Sequence, residues 1–434
     1  MRLAPQRGKG KPSMSSTISK SHQSPVQPEQ LGLGGVTLMD IVRQGAQTLL
    51  KEAVEEEVSR FLGRSRYERG DAETSRPDAY RNGHRKTRID TSSGPIEYDR
   101  PRLAGAPEFK SQFHRPYMRR PEEFETAVGE MYVEGLSTRK VKKALKAVAG
   151  DDLKMSRSTV SRITEKLRAE FRIWKKRSLA EIDVAYLFVD AIRVGMRLEN
   201  TRKQAVLVAY AVLKSGEFES ISIGIGNEES GDVWGKFIGD LKDRGLKDPL
   251  LVVSDGNAGV IAAIENHFPM SYRQRCTKHK VDNVLSSVPK EKHDEVRPKL
   301  NRIFFGATSL EQAKSALEAF RREYRKIYPS AVDCLSRDID QALTFYLFPS
   351  SHWRRIRTSN KLERMNLEIR RRLNVIGRHP SEDGCLALVY QISKRHAVRQ
   401  RGFAHGDLVH RLWQRLKQQK LEMLTQLRLE DQAA

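Results

Sequence analysis

A chain of 434 residues with 78 lysines and arginines against 55 acids, a formal charge of +23, is too long for one ordinary domain and its surface should attract a polyanion. Nucleic acid is therefore the default partner, and a membrane-surface role is disfavoured. Three separated cysteines, Cys276, Cys334 and Cys385, argue against a disulfide framework, and the longest apolar run, Ala205 to Leu213, is far short of the ~20 residues that span a bilayer, so a cytoplasmic location is expected.

Residues 1–35 are rich in Ser, Pro, Gly and Lys and poor in aliphatics. They cannot bury enough apolar surface to offset ordering entropy, and a disordered basic arm is expected. From Leu38 to Leu62, the residues Leu38, Ile41, Val42, Leu49, Leu50, Val54, Val58 and Phe61 recur near helical spacing, which predicts an amphipathic helix. Tyr80 to Arg102 carries Asn82-Gly83 and Ser93-Gly94-Pro95 between short, arginine-bearing alternating stretches. It reads as small β-hairpins that touch phosphate, making 36–120 a helical and β-hairpin DNA-binding region.

Pro121 to Arg177 is helical, with breaks at Gly135 and at Gly150 to Lys154. Ser137 and Ser156 follow the breaks and suit N-cap positions, where the hydroxyl accepts from an orphan backbone N–H. The pattern over 121–180 is that of a helix-turn-helix, Thr138 to Val148 first and Arg157 to Leu167 second. Val160 and Ile163 face inward, which leaves Arg157, Ser158, Ser161, Arg162 and Lys166 to reach a groove of DNA. The alternative is a packed helical linker with a solvated basic face, and the connecting loop is longer than the usual tight turn.

Ala185 to Arg193, Gln204 to Leu213 and Phe218 to Gly226 then read as three strands, followed by a helix over Asp232 to Arg244. A buried strand at Pro249 to Ser254, a helix at Ala258 to His267 and a short strand at Tyr272 to Cys276 complete a β-β-β-α-β-α-β order. A meander joined to βαβ units predicts an α/β fold, a mixed sheet with helices on both faces, the ribonuclease H-like arrangement. The catalytic domain would comprise 181–278 and 352–403. Residues 279–351, with core stripes at Leu285, Val288, Val296, Leu300 and Ile303 and at Leu310, Ala313, Leu317, Phe320 and Tyr324, read as an all-helical insertion. From His352 to Phe403 there are thirteen Lys or Arg against four acids. Residues 404–434, with Leu408, Leu412, Leu416, Leu421, Leu424 and Leu427, form a closing amphipathic helix suited to contact another subunit, so a homodimer or higher homo-oligomer is expected.

Asp190 sits in the apolar strand Tyr186-Leu-Phe-Val189, and Asp255 ends Leu250-Leu-Val-Val-Ser254. Buried carboxylates without partners are expensive, so two at strand positions ask for a cation or a cage of donors. Each alone could be a capping aspartate. In this strand order, however, the first and fourth strands are neighbours and bring the two together.

Four segments carry a resemblance: Val189-Asp-Ala-Ile-Arg-Val194, Val253-Ser-Asp-Gly256, Cys276-Thr-Lys-His279 and Arg357-Thr-Ser-Asn-Lys-Leu-Glu-Arg-Met-Asn366. With weaker similarity from Leu38 through the helix-turn-helix segments, the chain resembles the mutator-type transposases of bacterial insertion sequences. These are DDE enzymes with a ribonuclease H-like core and an all-α insertion. The resemblance implies a triad of Asp190, Asp255 and Glu363, separated by 65 and 108 residues. It also implies double-stranded DNA as partner, as terminal inverted repeats and as target, and work at the bacterial nucleoid.

Phosphodiester hydrolysis and transesterification use two metals ~3.5 to 4 Å apart, one activating a water or 3′-hydroxyl and one stabilising the leaving oxygen. Asp190 would bridge both, Asp255 bind one and Glu363, entering from a helix, the other. Carboxylate oxygens suit Mg²⁺, with Mn²⁺ able to substitute. Arg370, two helical turns after Glu363, can hold the DNA backbone beside the site. Cys276 and His279 accompany the active site in the resembled family. A lone Cys-x-x-His is a weak zinc signal, and DNA positioning and local packing stand as equal readings. Trp234, Trp353 and His352 could stack on an unpaired base, with core packing favoured for Trp234. The function expected is strand cleavage and strand transfer at element ends. The alternatives are a metal-dependent nuclease or junction resolvase on the same fold, and a non-catalytic domesticated DNA-binding protein.

Overall fold

A computed structural model describes residues 36–68, 78–115, 118–193, 205–226, 231–358, 360–376, 379, 381–399 and 406–433. The expected arm at 1–35 lies outside them. The chain forms two compact units, one of the residues up to Arg120 together with Val148–Leu153, the other of Pro121–Ala147 and Lys154 onward.

In the first unit, α1 (Leu38–Leu62) begins with a capping box. Thr37 accepts from the Asp40 amide at 3.2 Å, while the Asp40 carboxylate accepts from the Thr37 amide at 3.0 Å. It ends at Gly63, whose φ of 66° is left-handed. Only its C-terminal half is buried: Val54 packs with Ile89 and Tyr98, and Val58 and Leu62 with Ala79, whereas Leu38, Ile41, Val42 and Leu49 are exposed. The hairpins reduce to one, β1 (Tyr80–Thr91) against β2 (Gly94–Ala104). Asn82-Gly83 makes no turn. The register shifts between Arg81 and His84, with Gly83 at φ 69°, so the dipeptide forms a bulge inside β1.

The second unit opens with α2 (Glu122–Val133), α3 (Thr138–Ala149) and α4 (Arg157–Lys175). Ser156 caps α4, its hydroxyl accepting from the Thr159 amide at 3.0 Å. α4 packs chiefly on α2 and on the later α14 (Glu382–Arg399), rather than on α3 as a tight two-helix motif would require.

Next come β3 (Val184–Arg193), β4 (Ala205–Leu213), β5 (Phe218–Gly226), α5 (Gly231–Asp243), β6 (Leu251–Ser254), α6 (Ala258–His267) and β7 (Tyr272–Arg275), in the expected order. They build a mixed five-stranded sheet, β5-β4-β3-β6-β7. β3, β4 and β5 form an antiparallel meander, while β6 and β7 run parallel to β3. Alternation divides the strands between two cores. Leu187, Val189, Leu207, Ala209 and Val252 pack under Trp234, Ile238, Val260 and Ile264 of α5 and α6. Tyr186, Phe188, Val208, Tyr210, Leu251 and Val253 face the helices that follow β7.

Those helices are α7 (Thr277–Leu285), α8 (His293–Asn301), α9 (Leu310–Tyr324), α10 (Pro329–Ser336), α11 (Ile339–Leu343), α12 (Ser350–Ile356) and α13 (Asn360–Ile376), then α14 and α15 (Gly406–Ala433). The stripes read along α8 and α9 are buried, with Leu310 partly so, and they join the sheet in one continuous hydrophobic core. α14 is apolar on nearly all sides from Cys385 to Ile392 because it lies between β5 and α4. On α15, Leu416 is buried and Leu412 partly so, Leu421 is exposed, and the side chains of Leu408 and Leu427 lie outside the described residues. Among the described residues no helix is long and apolar enough to cross a membrane.

Candidate functional site

Tyr186 lies opposite Leu251, Leu187 opposite Val252 and Phe188 opposite Val253, a constant offset of 65 residues between two parallel strands. Asp190 and Asp255 keep that offset, two residues further along, and share the alternation of Phe188 and Val253. Both carboxylates therefore belong to the carboxyl end of the strands, on the face covered by the later helices. Crevices at such strand ends are the usual ligand sites of open α/β sheets. Beside them, the Cys276 amide donates to the Ser254 carbonyl at 2.8 Å, continuing the β6–β7 ladder into the first turn of α7.

The Asp190 carboxylate is held on both oxygens. Oδ1 accepts from the Ala191 amide at 2.9 Å and Oδ2 from Nδ2 of Asn366 at 2.8 Å. Burial pushes its pKa up to about 6, and the Asp255 charge pushes the same way; the Ala191 amide and the charges of His279 and Arg370 oppose the rise. Asp255 accepts from the Asn257 amide at 3.1 Å, and Asn257 caps α6. A Cβ on Gly256 between them would meet the Arg275 guanidinium, which would have to move aside.

Cys276 is fully buried at the N-cap of α7, with His279 one turn on. A hydrogen bond with Cys276 raises the His279 imidazole to about 9 against the effect of burial, and the charges of Asp190 and Asp255 add to the rise. Nδ1 of the same ring is buried without a hydrogen-bond partner among the described residues. The motif therefore lies within electrostatic reach of the two aspartates, an arrangement open to both DNA positioning and local packing.

Glu363 occupies the first turn of α13, but both of its oxygens accept from Nζ of Lys278 at 2.7 Å. Among the described residues no group of three or more His, Cys, Asp or Glu side chains is gathered so as to hold a metal ion. The structure thus brings Asp255, His279 and Arg370 within electrostatic reach of Asp190 and ties Glu363 to a lysine. Arg370 is exposed while its charge acts on Asp190. Sequence reasoning missed two contacts of α13, Lys278 to Glu363 and Asn366 to Asp190. The second had a signal, since Asn366 follows Glu363 by three residues and shares its helix face.

On α4, Val160 and Ile163 are buried and Arg157, Ser158, Ser161, Arg162 and Lys166 are exposed. Lys166 pairs with Glu125 at 2.7 Å, whereas Arg157 and Arg162 pair with no carboxylate among the described residues. In the hairpin, Arg81 is spent on Glu55 and Arg88 on Asp90 and Glu97, while Arg85, Lys86 and Arg102 are exposed. Trp234 is core, as favoured for it; Trp353 is partly buried with its Nε1 donating to the Phe348 carbonyl at 2.7 Å, and His352, 1% exposed and hydrogen-bonded to the Tyr186 hydroxyl at 2.9 Å, has no face open to a base.

A family model described as "Transposase, Mutator family" matches residues 29–399. The chain is 33% identical over 356 residues to the transposase for insertion sequence element ISRM5 of Rhizobium meliloti (strain 1021), covering 81% of this chain and 86% of that one. It is 32% identical over 352 residues to the transposase for insertion sequence element IS406 of Burkholderia multivorans, covering 81% and 89%. To the transposase for insertion sequence element IS256 in transposon Tn4001 of Staphylococcus aureus it is 29% identical over 353 residues, covering 81% and 88%.

Proposed function

The chain belongs to the mutator family of transposases, and on that premise we propose that it is a DNA transposase that cleaves element ends and joins them to new DNA through Asp190, Asp255 and Glu363. The observation that carries this reading is the common 65-residue offset that sets Asp190 and Asp255 toward the carboxyl ends of adjacent parallel strands, with the Asp255 charge acting on Asp190. The β5-β4-β3-β6-β7 order supports a ribonuclease H-like core, with α8 to α11 as its helical insertion.

The donor set fits a divalent cation: two like-charged carboxylates, one desolvated enough to be lifted to about 6, offer hard oxygens that a cation would satisfy. Asp190, Asp255 and, once Lys278 releases it, Glu363 would hold Mg²⁺ or Mn²⁺, which supplies activation of the attacking oxygen and stabilisation of the leaving one. Around that centre the chain's own groups orient and select. Asn366 and the Ala191 amide fix the Asp190 carboxylate, the His279 cation balances the aspartates, and Arg370 grips a neighbouring phosphate. Arg157, Ser158, Ser161, Arg162 and Lys166 on α4 bind terminal inverted repeats, and exposed Arg85, Lys86 and Arg102 add phosphate contacts. The enzyme works as a homo-oligomer, with the Leu421 side of α15 as one contact.

Asp190→Asn, Asp255→Asn and Glu363→Gln remove an anion with little change of shape. Each should lower cleavage by on the order of 100-fold or more while repeat binding stays near normal, since metal stabilisation is worth several kcal/mol. Cleavage at the wild-type rate by any one variant removes that residue from the triad. Cleavage without joining by the wild type would make the protein a nuclease.

A further inference from the structure

Asn366 is 2% exposed and presents its amide to the very carboxylate that the reaction would use. Its orientation is determined, because only Nδ2 can lie 2.8 Å from an Asp190 oxygen without repulsion. The other end of the amide is then left over. Oδ1 is buried and accepts no hydrogen bond among the described residues. A buried acceptor in that state costs about 1 to 3 kcal/mol, which an apolar side chain of the same size would not incur. Packing alone therefore does not favour asparagine here.

The torsion that turns an aspartate carboxylate is soft and roughly two-fold, so a strand fixes where Asp190 starts but not how its oxygens face. The Ala191 amide restrains one oxygen from within β3. Asn366 restrains the other from α13, the helix that carries Glu363 one turn earlier. The orientation of Asp190 is thereby coupled to the placement of Glu363's helix. Each oxygen receives one donor and keeps a lone pair directed elsewhere.

We propose that Asn366 is a positioning residue, which sets the Asp190 carboxylate in the orientation that binds the divalent cation and links it to the helix of Glu363. This rests on the reading of Asp190 as a metal ligand. Outer partners of ligating carboxylates are worth about 10- to 100-fold in metal affinity, and Asn366 should fall in that range.

The test is a Mn²⁺ titration of the full chain without DNA, read by the paramagnetic resonance of free Mn²⁺, beside the Mn²⁺ concentration giving half-maximal cleavage. Asn366→Leu should raise both by about 10- to 100-fold, with binding of the terminal repeat in the absence of metal unchanged. Asn366→Gln, which keeps the amide donor, should recover part of the loss. A folded Asn366→Leu protein with wild-type Mn²⁺ affinity overturns the proposal. If the leucine variant does not fold, the smaller Asn366→Ser, whose hydroxyl is too short to span the gap, is held to the same two outcomes. Asp190→Asn is the control. If it leaves Mn²⁺ binding intact, the metal-site reading itself fails and takes this inference with it; if it weakens binding while Asn366→Leu does not, only the positioning role is lost.

Discussion

Lys278 holds both carboxylate oxygens of Glu363 at 2.7 Å, so the third acid of the site is engaged by a cation of the chain itself. The lysine lies in the first turn of α7, between Cys276 and His279. A half-exposed pair of this kind is worth up to about 1 kcal/mol, weak enough for a phosphate or a divalent ion to compete with it. Lys278→Met should therefore tighten Mn²⁺ binding in the absence of DNA, by about two- to fivefold. Weaker binding by this variant in the same titration would mean that the lysine supports the site instead of occupying its third ligand.

Arg370 is seven residues beyond Glu363 on α13, about 10 Å along the helix at about 1.5 Å per residue. That is the reach of a neighbouring phosphate, not of the scissile one. Arg370→Ala should slow strand transfer from pre-nicked ends by on the order of 100-fold, because ~1 Å of misplacement is enough for such a loss. Arg370→Lys should recover only part of it, lacking the bidentate fork. Wild-type transfer by the alanine variant returns Arg370 to a solvated helix face.

Arg157 and Arg162 are exposed cations in the N-terminal half of α4 without a carboxylate partner among the described residues. Because α4 packs on α14, their test belongs in the full chain and not in an N-terminal fragment. Alanine at either position should cost about 1 to 3 kcal/mol in preference for the terminal repeat over random DNA if the side chain reads a base. A uniform loss on both DNAs, with a shallower salt dependence, would make it a phosphate contact.

Lys280 is fully buried, and its Nζ donates to the carbonyls of Cys334, at 2.7 Å, and Arg337, closing the C-terminal end of α10. Burial lowers its pKa from 10.5 to about 8. The unfolded chain then binds more protons between those values, so this lysine's penalty is full below about pH 8 and fades as pH rises to 10.5. The neutral amine keeps enough N–H groups for both bonds. Urea unfolding at pH 7.5 and pH 10 should show wild type gaining stability relative to Lys280→Met, a variant that leaves both carbonyls unpaired and is less stable at either pH. An equal response of the two proteins would show that Lys280 is not depressed.

Asp190 and Asp255 were legible because a carboxylate in an otherwise apolar strand is conspicuous, and because a meander followed by βαβ units makes their strands neighbours. The bounds of α1 were legible from the helical periodicity of its apolar residues, while the Gly63 cap that ends it came only with the structure. What stayed hidden depends on partners distant in the chain. Lys278 and Glu363 stand 85 residues apart, and Asn366 and Asp190 stand 176 apart. His352 reads as a polar residue in a basic run, and only the fold places Tyr186 against it. Asn82-Gly83 has the composition of a turn, but the pairing that continues on both sides of it makes the dipeptide a bulge.

The unbroken offset between β3 and β6 also determines where this gene can tolerate a change of length. Residues added at the tip between Leu213 and Phe218 alter a surface turn and leave the two aspartates aligned. One residue added between Tyr186 and Val189 shifts everything after it to the opposite side of the strand. Asp190 would then point under α5 and α6, into a core of aliphatic and aromatic side chains. A single inserted codon there is thus equivalent to deleting the first acid, although the acid itself is still encoded.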